Sequence, residues 1–226
     1  MNPYRKRTVI AGVLYIVGIV AGILSISTAI DAPDYLLKAS ANKNQVLLAS
    51  LFQFIWTISY IGFAVILYPV FRKYKESLAL GFLSFRIIAA VLNIIGFVIL
   101  LLILSLSQEF VKAGAPDLSY FQITGDLLRS GRDFVNHVAM ILASCVGGLM
   151  FYSLLYHSKL IPRWLSICGL SGTILTIFAS LLIMFGMTDV LTSTYLGLNL
   201  PLIILELVLA VWLVVKGFPF MTLSDR

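Results

Sequence analysis

The chain has 226 residues, 60% of them apolar and only 12% charged, with a mean hydropathy of +1.02 and a net charge of +6. Soluble globular chains run near ~45–50% apolar and ~25% charged, so this composition excludes a water-soluble domain, a disordered tail and a nucleic-acid binder of ordinary make-up. Two cysteines, Cys145 and Cys168, both inside apolar runs, exclude a disulfide scaffold.

A bilayer core about 30 Å thick takes roughly 20 helical residues to cross, and six runs reach or approach that length. The first covers about residues 8–30, behind Arg5-Lys6-Arg7. It is longer than the ~7–15 residues of a signal-peptide core and reads as a retained anchor. Its Gly18 and Gly22 form a GxxxG pair, a weak signal for helix dimerisation among sixteen glycines. The second run, about 46–70, carries Gln53, Trp56, Tyr60 and Ala64 at helical spacing on one face. The third, about 78–106, is long and must tilt or protrude; Arg86 and Asn93 lie on one of its faces. The fourth, about 134–156, follows the segment DLLRSGRDFVNH, in which Arg129, Arg132, Asp133, Asn136 and His137 fall at i, i+3 and i+4 spacings. The fifth, about 164–187, begins at Pro162-Arg163-Trp164, where Trp164 reads as an interfacial anchor. The sixth, about 200–215, contains Glu206 and ends at Lys216.

Between the runs, residues 31–45 and 107–133 are long enough for short interfacial helices or a lid, and residues 187–199 read as a solvated turn. The seven prolines fall in loops or at run ends. Transporters often bind substrate where Gly or Pro interrupts a helix at mid-depth; with no proline there and no internal repeat, a standard secondary transporter is disfavoured. The expected architecture is all-α: one domain over residues 1–226, a transmembrane bundle of six helices.

Charge orients the bundle. The side holding both termini, the second loop and the fourth loop carries ten cations: Arg5, Lys6, Arg7, Arg72, Lys73, Lys75, Lys159, Arg163, Lys216 and Arg226. The opposite side carries five, Lys38, Lys43, Lys112, Arg129 and Arg132, and Arg86 lies within a run. The positive-inside rule then places both termini in the cytoplasm. The basic balance is a topology signal and requires no nucleic-acid partner.

At 1.5 Å per residue, Arg86 and Glu206 each lie roughly 15 Å from the cytoplasmic surface. Opposite charges at matching depth on different helices suggest an ion pair. Either alone would be expensive, at ~2.5–3.5 kcal/mol for a central Arg on the lenient insertion scale. The plain reading is a buried pair that fixes helix register. The sharper one is an anion or headgroup site in which Glu206 holds Arg86. The Gln53, Trp56 and Tyr60 stripe is interior packing on the first reading and a cavity wall on the second. Likewise the Arg132, Asp133, Asn136 and His137 stripe is either an outer helix end, with its acid favoured by the N-terminal dipole, or a vestibule leading past Asn93 towards Arg86.

Other chemistries find no support. His137 and His157 fall at opposite membrane faces, and no HExxH, P-loop, GxSxG or CxxC occurs. Neither a metal nor a cofactor is expected, and both cysteines read as small packing residues.

Five segments together carry a family resemblance: AGVLYIVGIVAGILS, VILYPVFRKYKESLALGFLSFRII, LLRSGRDF, LLYHSKLIPRWLSICGLSG and ELVLAVWLVVKGF. The chain resembles a family of small bacterial integral membrane proteins known as domain of unknown function 4386. The resemblance implies a bacterial cytoplasmic membrane and no established activity. It places Arg86, Arg132, Asp133, Pro162, Arg163, Trp164, Glu206, Lys216 and Gly217 on motif positions. Many relatives have an acid shortly after the third-helix arginine, where this chain has Ala89 and Ala90. Glu206 is thereby the acid nearest Arg86, which disfavours a relay of two carboxylates.

Two functions of different class remain. One is the binding or passage of a small amphiphile or anion through an outward-facing polar cavity that uses Arg86 and Glu206. The other is a structural or regulatory membrane component with a protein partner. An intramembrane enzyme ranks below both, because no nucleophile, metal site or acid pair is visible.

Overall fold

Long apolar runs satisfy their backbone groups in lipid only as helices, and these runs do so. The computed structural model describes residues 3–115, 119–190 and 192–219. Arg226 of the charge count and Pro116 lie outside them. The helices are α1 (Pro3–Leu24), α2 (Thr28–Asp31), α3 (Tyr35–Ala41), α4 (Lys43–Phe71), α5 (Glu76–Lys112), α6 (Ser119–Asp133), a π-helical turn (Phe134–Ala139), α7 (Met140–Ser158), α8 (Arg163–Met184) and α9 (Ser193–Val215). No strand occurs among the described residues. Six helical segments are long and apolar enough to cross a membrane: α1, α4, α5, α6 continued through the π turn into α7, α8 and α9.

Several boundaries differ from expectation. The first span stops at Leu24, where the chain turns before α2. The fourth starts far earlier, because α6 runs without a break into α7. Asp133 therefore lies inside a helix, and the N-terminal dipole account of it fails. The sixth span begins at Ser193, where Thr192 caps it by accepting a hydrogen bond from the Tyr195 N–H at 3.3 Å. This brings Pro201 inside α9, so it falls neither in a loop nor at a run end, whereas Pro69 stands in the last turn of α4 as expected.

The six long segments form a closed ring. Each packs on the next in chain order, and α9 returns to α1. The half of the ring near the two termini is filled by a dense apolar core. Phe63, Phe71, Phe82 and Phe151 make its centre, with Phe82 stacked on Phe151 at 4.9 Å between centroids and Tyr15 on Phe63 at 4.3 Å. The α1–α9 seam is tied by Arg5, whose guanidinium donates to the carbonyls of Leu213 (3.2 Å), Val214 (2.7 Å) and Val215 (2.7 Å). These carbonyls end α9 and lack intrahelical donors, so a cation there satisfies both the groups and the helix dipole. Gly217 leaves the helix at φ +69, and an added Cβ would stand 2.4 Å from Arg5 Nη1 and 2.8 Å from Thr8 Oγ1. Gly217→Ala is therefore expected to cost about 2 kcal/mol, from left-handed strain together with displacement of Arg5. Thermal unfolding in detergent checks this, and an unchanged melting temperature would refute the capping role.

At the far end α5, 37 residues long and so about 55 Å, outruns a bilayer core. Its last turns pack with α2, α3 and the start of α4 around Ile30, Tyr35, Leu36, Leu100 and Ile103. Tyr35 ties α3 to α6 by donating to Asp126 Oδ1 at 3.0 Å, beneath the Arg129 guanidinium. Burial and the Asp126 carboxylate push its phenol up to about 12.

Candidate functional site

The half of the ring away from the termini encloses a chamber of about 800 Å³, within the range of small-molecule sites. Its mouth is edged by Asp31, Arg129, Arg132, Asp133 and Asp189, and its floor by Arg86, Tyr152 and Glu206. Arg132 Nη1 pairs with Asp31 Oδ1 at 3.3 Å, so α6 grips α2 across the rim.

Arg86 is 5% exposed. Its Nη1 donates to Ser144 Oγ at 3.0 Å, and the guanidinium lies 4.9 Å from the Tyr60 ring centroid and 5.7 Å from that of Phe82. Glu206 accepts from the Tyr60 hydroxyl at 3.2 Å. Arg86 and Glu206 thus share one floor, but the described residues form no ion pair between them within 4.0 Å. Tyr60 stands between, its ring against the cation and its hydroxyl on the acid. The expectation of a direct pair is corrected: equal depth does not fix the rotation of either helix.

Tyr60 and Trp56 occupy these positions because α1 offers glycines. Gly18 faces the Tyr60 ring, where a Cβ would lie 2.5 Å from a ring carbon, and Gly22 faces Trp56. The GxxxG pair therefore seats aromatic side chains of α4 within this chain, and the dimerisation reading gives way to that. Trp56 meets Tyr60 edge-on at 6.0 Å.

Asn93 belongs elsewhere. Its side-chain amide donates to Thr57 Oγ1 at 2.9 Å, and Gln53 Nε2 donates to Asn93 Oδ1 at 2.9 Å and to its carbonyl at 3.1 Å. This clasp joins α4 to α5, a seam where buried amides are well satisfied. Gln53 borders the chamber with its amide so engaged, whereas Asn93 does not line it; the vestibule reading fails for Asn93.

The π turn carries two of the expected residues. Such turns occur frequently at functional sites because they widen the helix locally. Asn136 packs on Gly96, where a Cβ would stand 1.9 Å from its Oδ1. His137 Nδ1 lies 3.0 Å from the Tyr195 hydroxyl. Both line the chamber, as do Arg132 and Asp133.

Sequence reasoning missed Ser144, Tyr152, Thr173, Thr176, Tyr195 and Asn199, which also line the chamber. Thr173 and Thr176 are one turn apart in an apolar run, the one pattern that could have drawn notice. Thr173 donates to the Gly169 carbonyl at 2.7 Å. Thr176 Oγ1 has no partner, nor have Arg86 Nε, Arg132 Nε, Tyr152 Oη and Asn136 Oδ1, although all five atoms are buried. Of the cysteines, Cys145 is buried and lines the chamber, whereas Cys168 is exposed on the ring's surface, against the packing role expected of it. No cluster of His, Cys, Asp and Glu suited to a metal occurs among the described residues.

This geometry defines a class: a helical protein with six segments able to cross a membrane, closed at one end by an aromatic plug and hollow at the other. The chain belongs to the family described as a domain of unknown function (DUF4386), whose family model matches residues 10–217. No curated protein and no solved structure matches it.

Proposed function

We propose that this protein is a multi-pass protein of the bacterial cytoplasmic membrane that binds or passes a small amphiphile or anion through its polar chamber. In this reading the chain is one unit with both termini in the cytoplasm, as the cation bias indicates, and the chamber faces outward. The observation that carries the reading is that five residues lining one cavity, Arg86, Arg132, Asn136, Tyr152 and Thr176, each hold a buried polar atom without a hydrogen-bond partner. A buried donor or acceptor left unmade costs about 1–3 kcal/mol, more when charged. Such a group is ordinarily satisfied by protein or water, so a cluster of them suits water or a polar ligand group. Arg86 supplies the cation and Glu206 a counter-charge that keeps its field local.

Accessibility labelling tests this. With Cys145 and Cys168 replaced, a membrane-impermeant thiol reagent applied to intact cells is expected to label S40C and A115C and to spare S77C and S158C. It is also expected to reach S144C beside Arg86, more slowly. Labelling of S77C from outside would invert the orientation. A protected S144C in a correctly oriented protein would indicate a dry bundle and favour the structural role with a protein partner.

A further inference from the structure

The chamber is bounded by walls of different character. The α5, α7 and α8 side presents Arg86, Ser144, Tyr152, Thr173 and Thr176, whereas α1 presents Ile19 and Ile23 and the turn after it Ile26. From α9 come Leu196, Leu202 and Ile203, beside the polar Asn199 and Glu206. Several of these apolar wall residues also face outward. Ile23 is 62% exposed, Ile26 51%, Leu196 48% and Ile203 43%. These apolar side chains therefore border both the chamber and the outer surface of the ring.

The seam between α1 and α9 has the matching form. Its close contacts lie in the terminal half: Gly12 of α1 faces Ala210, Leu213 and Val214, and Arg5 binds the end of α9. Further along α1, the nearest neighbours of Gly18 and Gly22 are Tyr60 and Trp56 of α4. The close contacts named thus lie in the terminal half, and at the level of the chamber both helices present an apolar margin.

We infer that the far halves of α1 and α9 part as a slot, a lateral opening through which the chamber takes an acyl-chain amphiphile with an anionic oxygen headgroup, the head seated at Arg86 and the chain leaving between Ile23 and Ile203. This rests on the chamber being a binding site, and adds the ligand class and its route. The head must be anionic because the deepest free group is a guanidinium N–H, which suits a phosphate or carboxylate oxygen. It gains from hydroxyls as well, since Glu206 is an acceptor and the Tyr152 and Thr176 hydroxyls can donate or accept. The chain must be apolar because the exit is lined by isoleucine and leucine and opens on the surface that meets lipid. A free anion would need only the polar mouth and would leave the slot without a use. A lipid uses both features.

Trp56 lines the chamber and serves as the reporter. The full-length protein with W164F and W212F is prepared in a neutral maltoside detergent and titrated with lysophosphatidate carrying a dibrominated stearoyl chain. Saturable quenching of Trp56 is expected. Arg86→Lys, which keeps the charge and loses the fork, is expected to weaken binding at least fivefold. Ile23→Phe with Ile203→Phe, or either alone if the pair does not fold, is expected to weaken it similarly by filling the slot. Inorganic phosphate at millimolar concentration should displace the probe poorly, and a dibrominated monoacylglycerol lacking the charge should bind at least fivefold less tightly. If phosphate displaces the probe fully and the slot variants bind normally, the chamber is a soluble-anion site: the lateral route falls and the binding function stands. If the monoacylglycerol binds equally well, the anionic head is refuted. If no probe quenches saturably while S144C is labelled from outside, the lipid ligand is refuted and the open chamber stands. If S144C is also protected, the binding reading itself falls.

Discussion

Arg86→Met and Glu206→Gln are each expected to lower the stability of the detergent-solubilised protein by about 3 kcal/mol, and the double variant R86M/E206Q to recover roughly half of the summed loss. Removing one member of a buried charge pair costs ~3–5 kcal/mol because the other is left uncompensated, whereas neutralising both can be nearly neutral. The lower end applies here because the groups are not in contact. Arg86 keeps Ser144 at 3.0 Å, and Glu206 keeps Tyr60 at 3.2 Å. Tyr60→Phe is expected to shrink the coupling, since the phenol fixes the carboxylate beside the ring that bears the cation. Salt should change the result little, as buried charges are poorly screened. The measurement is a double-mutant cycle on thermal or denaturant unfolding. Simple additivity would show that the two charges do not sense each other and that the shared floor is only a geometric coincidence.

Gly169→Ala is expected to destabilise by about 2–3 kcal/mol, a large effect for one methyl group, and to disturb the chamber floor as well. A Cβ at this position would lie 2.3, 2.4 and 2.6 Å from three carbons of the Tyr152 ring. That ring has little room to retreat: Tyr152 is 2% exposed and packs edge-on against Phe151 at 5.0 Å. Inserting volume into a well-packed interior costs ~1–3 kcal/mol, occasionally more. Displacement of the ring also moves the Tyr152 hydroxyl, so ligand quenching of Trp56 should weaken in parallel with stability. The control is Tyr152→Ala, in whose background G169A should be close to neutral. An equal loss in both backgrounds would place the cause elsewhere on the α7–α8 seam.

The number of helices long and apolar enough to cross a membrane, and their order, were written in the sequence. These follow from local quantities: a 20-residue apolar run, a fixed rise per residue and the penalty for an unpaired charge in lipid. The levels of Arg86 and Glu206 could therefore be read by counting from Ser77 and Lys216. Arg5, Gly217 and the α9 terminus could not be read together, although each stood in a recognisable segment, because Arg5 reaches across a ring whose closure depends on every helix between.

Tertiary structure alone decided which polar groups face a partner helix and which face the chamber. Asn93 and Asn136 are the same residue type in similar apolar surroundings. One is consumed by Gln53 and Thr57, while the other, in the π segment, packs its Oδ1 against Gly96 without a hydrogen-bond partner. Thr173 and Thr176 differ in the same way: the first bonds its own helix and the second bonds nothing. The sequence determined which segments are long and apolar enough to cross a bilayer, because apolar length is a property of a segment. The rotation of each helix about its axis determined the chamber and the placement of Tyr60 against both Arg86 and Glu206. Rotation is set by glycines such as Gly18 and Gly169 meeting aromatic rings on other helices, a fit that no single segment specifies.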